Sequence, residues 1–182
     1  MAFWRNSKDK WGLIARVLHW TVALLVVAMI WFGWEAEATK DRDQSYALIH
    51  IHFQIGIFLT ALMLLRLLWR IGNAAPHDNA AMPGWQVRLK NLTHLLLYAL
   101  LLLMPVAGYI VYVHMQADMR VLSAFTVPTL FTPQYEDESL RAYAWYAHIY
   151  GSWLLMGLIA LHISAAAWHL LVKRDGVLRR ML

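Results

Sequence analysis

The chain has 182 residues, of which 60% are hydrophobic and 15% charged, with ten tryptophans, no cysteine and a formal net charge of +5. A soluble core of this size does not need so much apolar surface, so the composition points to a membrane protein. Without cysteine there can be no disulfide, no thiolate-ligated iron–sulfur cluster and no covalent C-x-x-C-H haem attachment.

Four apolar runs follow one another at about 11–34, 46–69, 92–113 and 143–172. Each is near or above the ~20 residues that a helix needs to cross a bilayer. They predict an all-α fold, an integral membrane four-helix bundle, with the whole chain, 1–182, as a single domain. Strand alternation, internal repeats and low-complexity segments do not stand out. Ala36-Glu37-Ala38 after the first run resembles a cleavage site, but a signal-peptide core has only ~7–15 apolar residues. Helix one is therefore expected to stay in the mature protein.

Short loops rich in Lys and Arg are retained in the cytoplasm. Arg5, Lys8, Lys10, Arg16, Arg66, Arg70, Arg88, Lys90, Lys173, Arg174, Arg179 and Arg180 all fall on one side of the four spans. The other side has Lys40, Arg42, Arg120 and Arg141 against Glu35, Glu37, Asp41, Asp43, Asp118, Glu136, Asp137 and Glu138. Both termini are expected to be cytoplasmic. The positive charge then reflects topology and anionic headgroups; no nucleic acid is expected, because no basic stripe with interleaved aromatics is present. No G-x-G-x-x-G turn, Walker loop or H-E-x-x-H helix supports nucleotide or zinc chemistry.

Chemistry is left to histidine. His19, His52, His148 and His162 lie inside the apolar stretches, where a bare polar ring is costly unless it is bonded. His148 and His162 are fourteen residues apart, which puts them on nearly one face of a helix with an axial separation of about 21 Å. One helix can thus present an imidazole near each membrane face, and two stacked b-type haems are the candidate ligands. The competing reading is a pair of interhelical hydrogen bonds. Gly151, Gly157, Ala160, Ala165 and Ala166 flank these histidines and leave room for a flat macrocycle, although small residues also promote helix packing alone. His50 and His52 differ by ~200° around a helix, so only one can face a buried cofactor. His52, deeper in the run and with Gly56 on its face, is the choice. Topology pairs His19 with His162 toward the cytoplasm and His52 with His148 toward the outside. An iron with two imidazoles has no open site for substrate, so outer-sphere electron transfer is the expected task.

Leu18-His19-Trp20 on helix one, Ile51-His52 with Gly56 and Arg66 on helix two, His94-Leu95 with Tyr98, Pro105 and Gly108 on helix three, and His148 with His162 on helix four resemble the bacterial cytochrome b561 family. Part of the pattern is shared with the cytochrome b subunits of nickel–iron hydrogenases. The resemblance covers nearly the whole chain and implies a di-haem multi-pass protein of the bacterial inner membrane that exchanges electrons with ubiquinone. Some members are held to oxidise superoxide at the outer face. A second possibility is a membrane anchor that relays electrons for a soluble dehydrogenase or hydrogenase. A histidine-lined metal path would need carboxylates within the spans, which contain none.

Weaker signals complete the reading. His94 could bond a haem propionate or a quinone oxygen, or be merely interfacial. Arg16, Arg66, Arg70 and Arg88 could pair with propionates or snorkel to headgroups. His169, two turns beyond His162, is the candidate proton donor on the quinone side, against a plain headgroup-region histidine. Pro105 is expected to kink helix three. The apolar stretch Val121 to Phe131 cannot span and is expected to lie along the membrane as a lid over the outer haem. Eight acids against four bases on that side would repel superoxide unless Arg120 or Arg141 concentrates positive charge, and a cationic periplasmic protein or a neutral donor fits equally well.

Overall fold

The computed structural model describes residues 3–78, 82–133 and 138–182. Four long helices dominate it: α1, Leu13–Ala38; α2, Arg42–Gly72; α3, Gly84–His114; and α4, Ser139–Trp168. All four are long and apolar enough to cross a membrane. The helices outrun the apolar runs, most clearly at α3, which starts at Gly84 rather than near residue 92. Hydropathy marks only what sits in hydrocarbon, whereas the backbone hydrogen bonds continue through the polar turns of the headgroup zone.

Local chemistry sets the ends. The Asp41 side chain accepts from the backbone N–H groups of Asp43 and Gln44, at 2.9 and 3.2 Å, and so starts α2. Pro83 precedes α3, and that helix runs through Pro105 without interruption. α4 passes into a π-type turn, His169–Lys173, and ends at Arg174 in the left-handed region at φ 51°.

α1 packs on α2 and α3 on α4, forming two antiparallel hairpins joined by α2 against α3. α4 approaches α1 and α2 only sparsely. The interior is correspondingly thin, with one cluster around Val22, Val26, Leu59 and Met63 and another around Phe53, Tyr112, Val113 and Val121. Much of the remaining apolar surface points outward, as at Leu24, 71% exposed, and Ile71, 75% exposed, which suits lipid rather than water.

One end of the bundle is tied together by both terminal segments and the α2–α3 connection. The Asn6 side chain donates to the Ala74 carbonyl at 3.1 Å, His77 N–H to Lys8 at 2.9 Å, and Arg180 to the His77 carbonyl at 2.7 Å. Trp20 Nε1 donates to the Met181 carbonyl at 2.9 Å. At the other end a small hairpin, β1 (Arg120–Val121) and β2 (Phe125–Thr126), folds over α2 and α3. Val121 of β1 is fully buried, in one cluster with Phe53 and Tyr112, while Leu122 and Ser123 turn the chain at φ 48° and 55°. Strands of two residues are too short to show alternation, which is why the sequence gives no sign of them. Glu136 and Asp137, counted above among the acids of this side, lie outside the described residues.

Candidate functional site

Two pairs of imidazoles occupy the sparse space between α4 and the first hairpin. Toward the hairpin end, His52 of α2 and His148 of α4 have ring centroids 6.0 Å apart. Toward the end that holds the termini, His19 of α1 and His162 of α4 are 6.2 Å apart. His94 of α3 joins the second pair at 5.3 Å from His162. His50 does not join the first. Its Nδ1 lies 2.7 Å from the Tyr112 hydroxyl, which in turn donates to the Asp118 carbonyl at 3.1 Å, so the imidazole carries the N–H in this arrangement.

The spacing is suited to a shared metal. Two metal–nitrogen bonds of ~2 Å plus half of each ring come to about 6 Å, which both crossed pairs meet and the shorter His94–His162 contact does not. Burial at the first pair is tight on the helix side. A Cβ added at Gly33 would lie 3.4 Å from the His52 ring, and one added at Gly108 only 3.1 Å from Cε1 of His148. The rings therefore rest directly on bare backbone. His52 Nδ1 lies 2.9 Å from the Met29 carbonyl and His148 Nδ1 3.1 Å from that of Met104. A carbonyl only accepts, so each Nδ1 holds the proton and each Nε2 keeps its lone pair for a metal.

Cations gather at the second pair. Arg66 donates from Nε to the Tyr98 hydroxyl at 2.9 Å, lies 5.7 Å from that ring, and leaves its buried Nη1 without a partner. Arg16 bonds the Leu182 carbonyl and leaves a buried Nε unpaired. Buried guanidinium donors are costly to leave unmade, so these two are suited to the carboxylates of a haem. Arg70 is instead spread over the rings of Trp11 and Tyr98, at 5.8 and 5.6 Å. His169, in the π-type turn, lies 2.7 Å from the Asp175 carboxylate. Burial opposes ionisation of Asp175, but hydrogen bonds from His169 and from the Val177 N–H outweigh it and hold the carboxyl below its usual range.

On the hairpin side, the sequence left open whether Arg120 or Arg141 provides positive charge. Arg120 is closed by Asp118 at 2.8 Å, and its hydrogen bonds hold the Asp118 carboxyl down at about 2. Arg141 is closed by Glu138. Neither offers a free cation to an anion arriving from solution.

The family model for prokaryotic cytochrome b561 matches residues 10–182. The chain belongs to that family. Cytochrome b561 homolog 1 of Escherichia coli (strain K12) is 30% identical over 91% of this chain and 92% of its own length. Cytochrome b561 homolog 2 of the same organism is 26% identical over 97% and 93%. A protein of Yersinia pestis named probable superoxide oxidase CybB is 25% identical over 95% and 96%. This member of the cytochrome b561 family is accordingly a multi-pass protein of the bacterial inner membrane, a b-type cytochrome that transfers electrons. Sequence reasoning missed the carbonyls of Met29 and Met104, and only their spacing of four residues from Gly33 and Gly108 hinted at them.

Proposed function

We propose that this cytochrome carries electrons across the membrane through two b-type haems, between the ubiquinone pool on the cytoplasmic side and a redox partner outside, the whole chain acting as one unit with both termini cytoplasmic. His19 and His162 would hold the inner haem, and His52 and His148 the outer one. The observation that carries the reading is the pair of crossed imidazole contacts, 6.2 and 6.0 Å, stacked along one bundle. When bound, each haem would supply a one-electron couple, and an imidazole from each of two helices to hold it would favour electron transfer without binding of substrate.

The surrounding side chains divide the remaining work. Arg66 and Arg16 neutralise carboxylates at the inner site through otherwise unpaired donors. His94, its Nδ1 held 2.8 Å from the Lys90 carbonyl and its ring 5.3 Å from that of His162, keeps the lone pair of Nε2 and can accept a proton from a quinol. His169 with Asp175 forms a second proton-handling pair at that end. Outside, the closed arginines favour a neutral or cationic donor over superoxide, the substrate class that the name of the Yersinia pestis relative suggests.

Haem content per polypeptide, followed by reduction with ubiquinol, tests the reading. Two haems per chain, both responding to quinol, are expected. A colourless protein, or one with a single haem, overturns it.

A further inference from the structure

The two pairs differ in what stands behind the rings. His52 and His148 each donate Nδ1–H to a backbone carbonyl of the preceding helix, Met29 on α1 and Met104 on α3. In each case the acceptor stands four residues before the glycine on which the ring lies, Gly33 or Gly108. A helical carbonyl already accepts from the N–H four residues later, and a ring on a neighbouring helix reaches its second lone pair here across a residue with no side chain, where a Cβ would stand 3.4 Å from the His52 ring or 3.1 Å from that of His148. The same device, Met-x-x-x-Gly, thus occurs once in each hairpin.

No hydrogen bond reaches the ring of His19 or His162 among the described residues. Their ring neighbours are Trp20, 5.2 Å from His19, and His94, 5.3 Å from His162, and the charge of Arg66 acts on both. A ligand imidazole that donates to a carbonyl becomes more basic and stabilises the more positive, oxidised iron. A nearby guanidinium does the opposite, because reduction removes one positive charge from the site.

Building on the di-haem reading, we infer that the Met29–Gly33 and Met104–Gly108 turns are positioning elements that set the outer iron at a lower potential than the inner iron. An electron accepted at the site of His52 and His148 would then pass downhill to that of His19 and His162, one iron being oxidised and the other reduced, with no bond made or broken and no proton moved.

Potentiometry on the purified haem-loaded protein tests this, with Gly108→Ala, Gly33→Ala and, for comparison, Gly72→Ala, whose added methyl would meet nothing within 4 Å. The step that disappears in His148→Ala identifies the outer haem. In the wild type that step is expected to be the lower of the two. Gly108→Ala should raise it by about a tenfold change in equilibrium constant, about 59 mV for one electron. Gly33→Ala should move it the same way by less, because its methyl sits at ordinary contact distance and the fold is spared. Gly72→Ala should leave both steps in place. Two haems with unmoved steps in both Gly108→Ala and Gly33→Ala, or a shift in the inner step instead, overturns the inference alone. Fewer than two haems in the wild type overturns the di-haem reading and the inference with it.

Discussion

The imidazole of His94 lies 5.3 Å from that of His162, closer than His19, at 6.2 Å, although His19 is the assigned partner. The shorter distance leaves too little room for an iron between two ring nitrogens. His94→Ala is therefore expected to keep both haems and to slow quinol turnover about tenfold, the loss of one hydrogen-bonding group. His19→Ala should lose the inner haem. Haem content of the two variants decides the matter; the reverse pattern would make His94 the ligand.

His148→Ala should remove the outer haem and His162→Ala the inner one, each leaving the other partly reducible. Pyridine haemochrome assays per chain provide the measurement. Equal loss of both haems in either variant would argue against separate sites.

Arg66→Gln keeps a polar side chain, though a shorter one, and removes the charge behind the inner pair. Loss of a charge-assisted hydrogen bond costs about 1.5–3 kcal/mol, so inner-haem retention should fall by about ten- to a hundredfold while the outer haem is unaffected. Haem release followed at the two sites distinguishes this from general unfolding.

His50→Ala should retain both haems, since that ring serves Tyr112 rather than a cofactor. Tyr112 is nearly buried, stacks on Phe53 at 4.0 Å, and would still donate to the Asp118 carbonyl, so a loss of about 1 kcal/mol is expected. Thermal unfolding monitored by the Soret band gives the answer. Loss of one haem would show that the wrong member of the pair had been assigned.

The hairpin of β1 and β2 makes an opposed pair of predictions. Val121→Ala empties a fully buried position and should cost about 2 kcal/mol. Leu122→Gly removes a bulky residue from φ 48°, at 68% exposure, and should stabilise the turn by about 1 kcal/mol. Amide exchange at the hairpin reads both.

Four spans were legible because hydrocarbon imposes a length and a composition that nothing else in the chain satisfies, and the histidines stood out because polar rings are rare inside such spans. Helical spacing placed His148 and His162 on one face. Positional reasoning could not see that Arg120 and Arg141 close onto Asp118 and Glu138, because ion pairing depends on side-chain conformation rather than on which loop carries a charge. Nor could it see that His94 comes so near His162, since that distance depends on how α3 and α4 cross.

What the sequence alone determined is the number of spans, the family and the residue types available for chemistry, because these follow from local composition and spacing. Only the tertiary structure decided which groups stand behind each imidazole. Met29 and His52, or Met104 and His148, lie on different helices, and whether a carbonyl meets a ring across that gap is set by packing, at a glycine whose missing side chain lets the two approach.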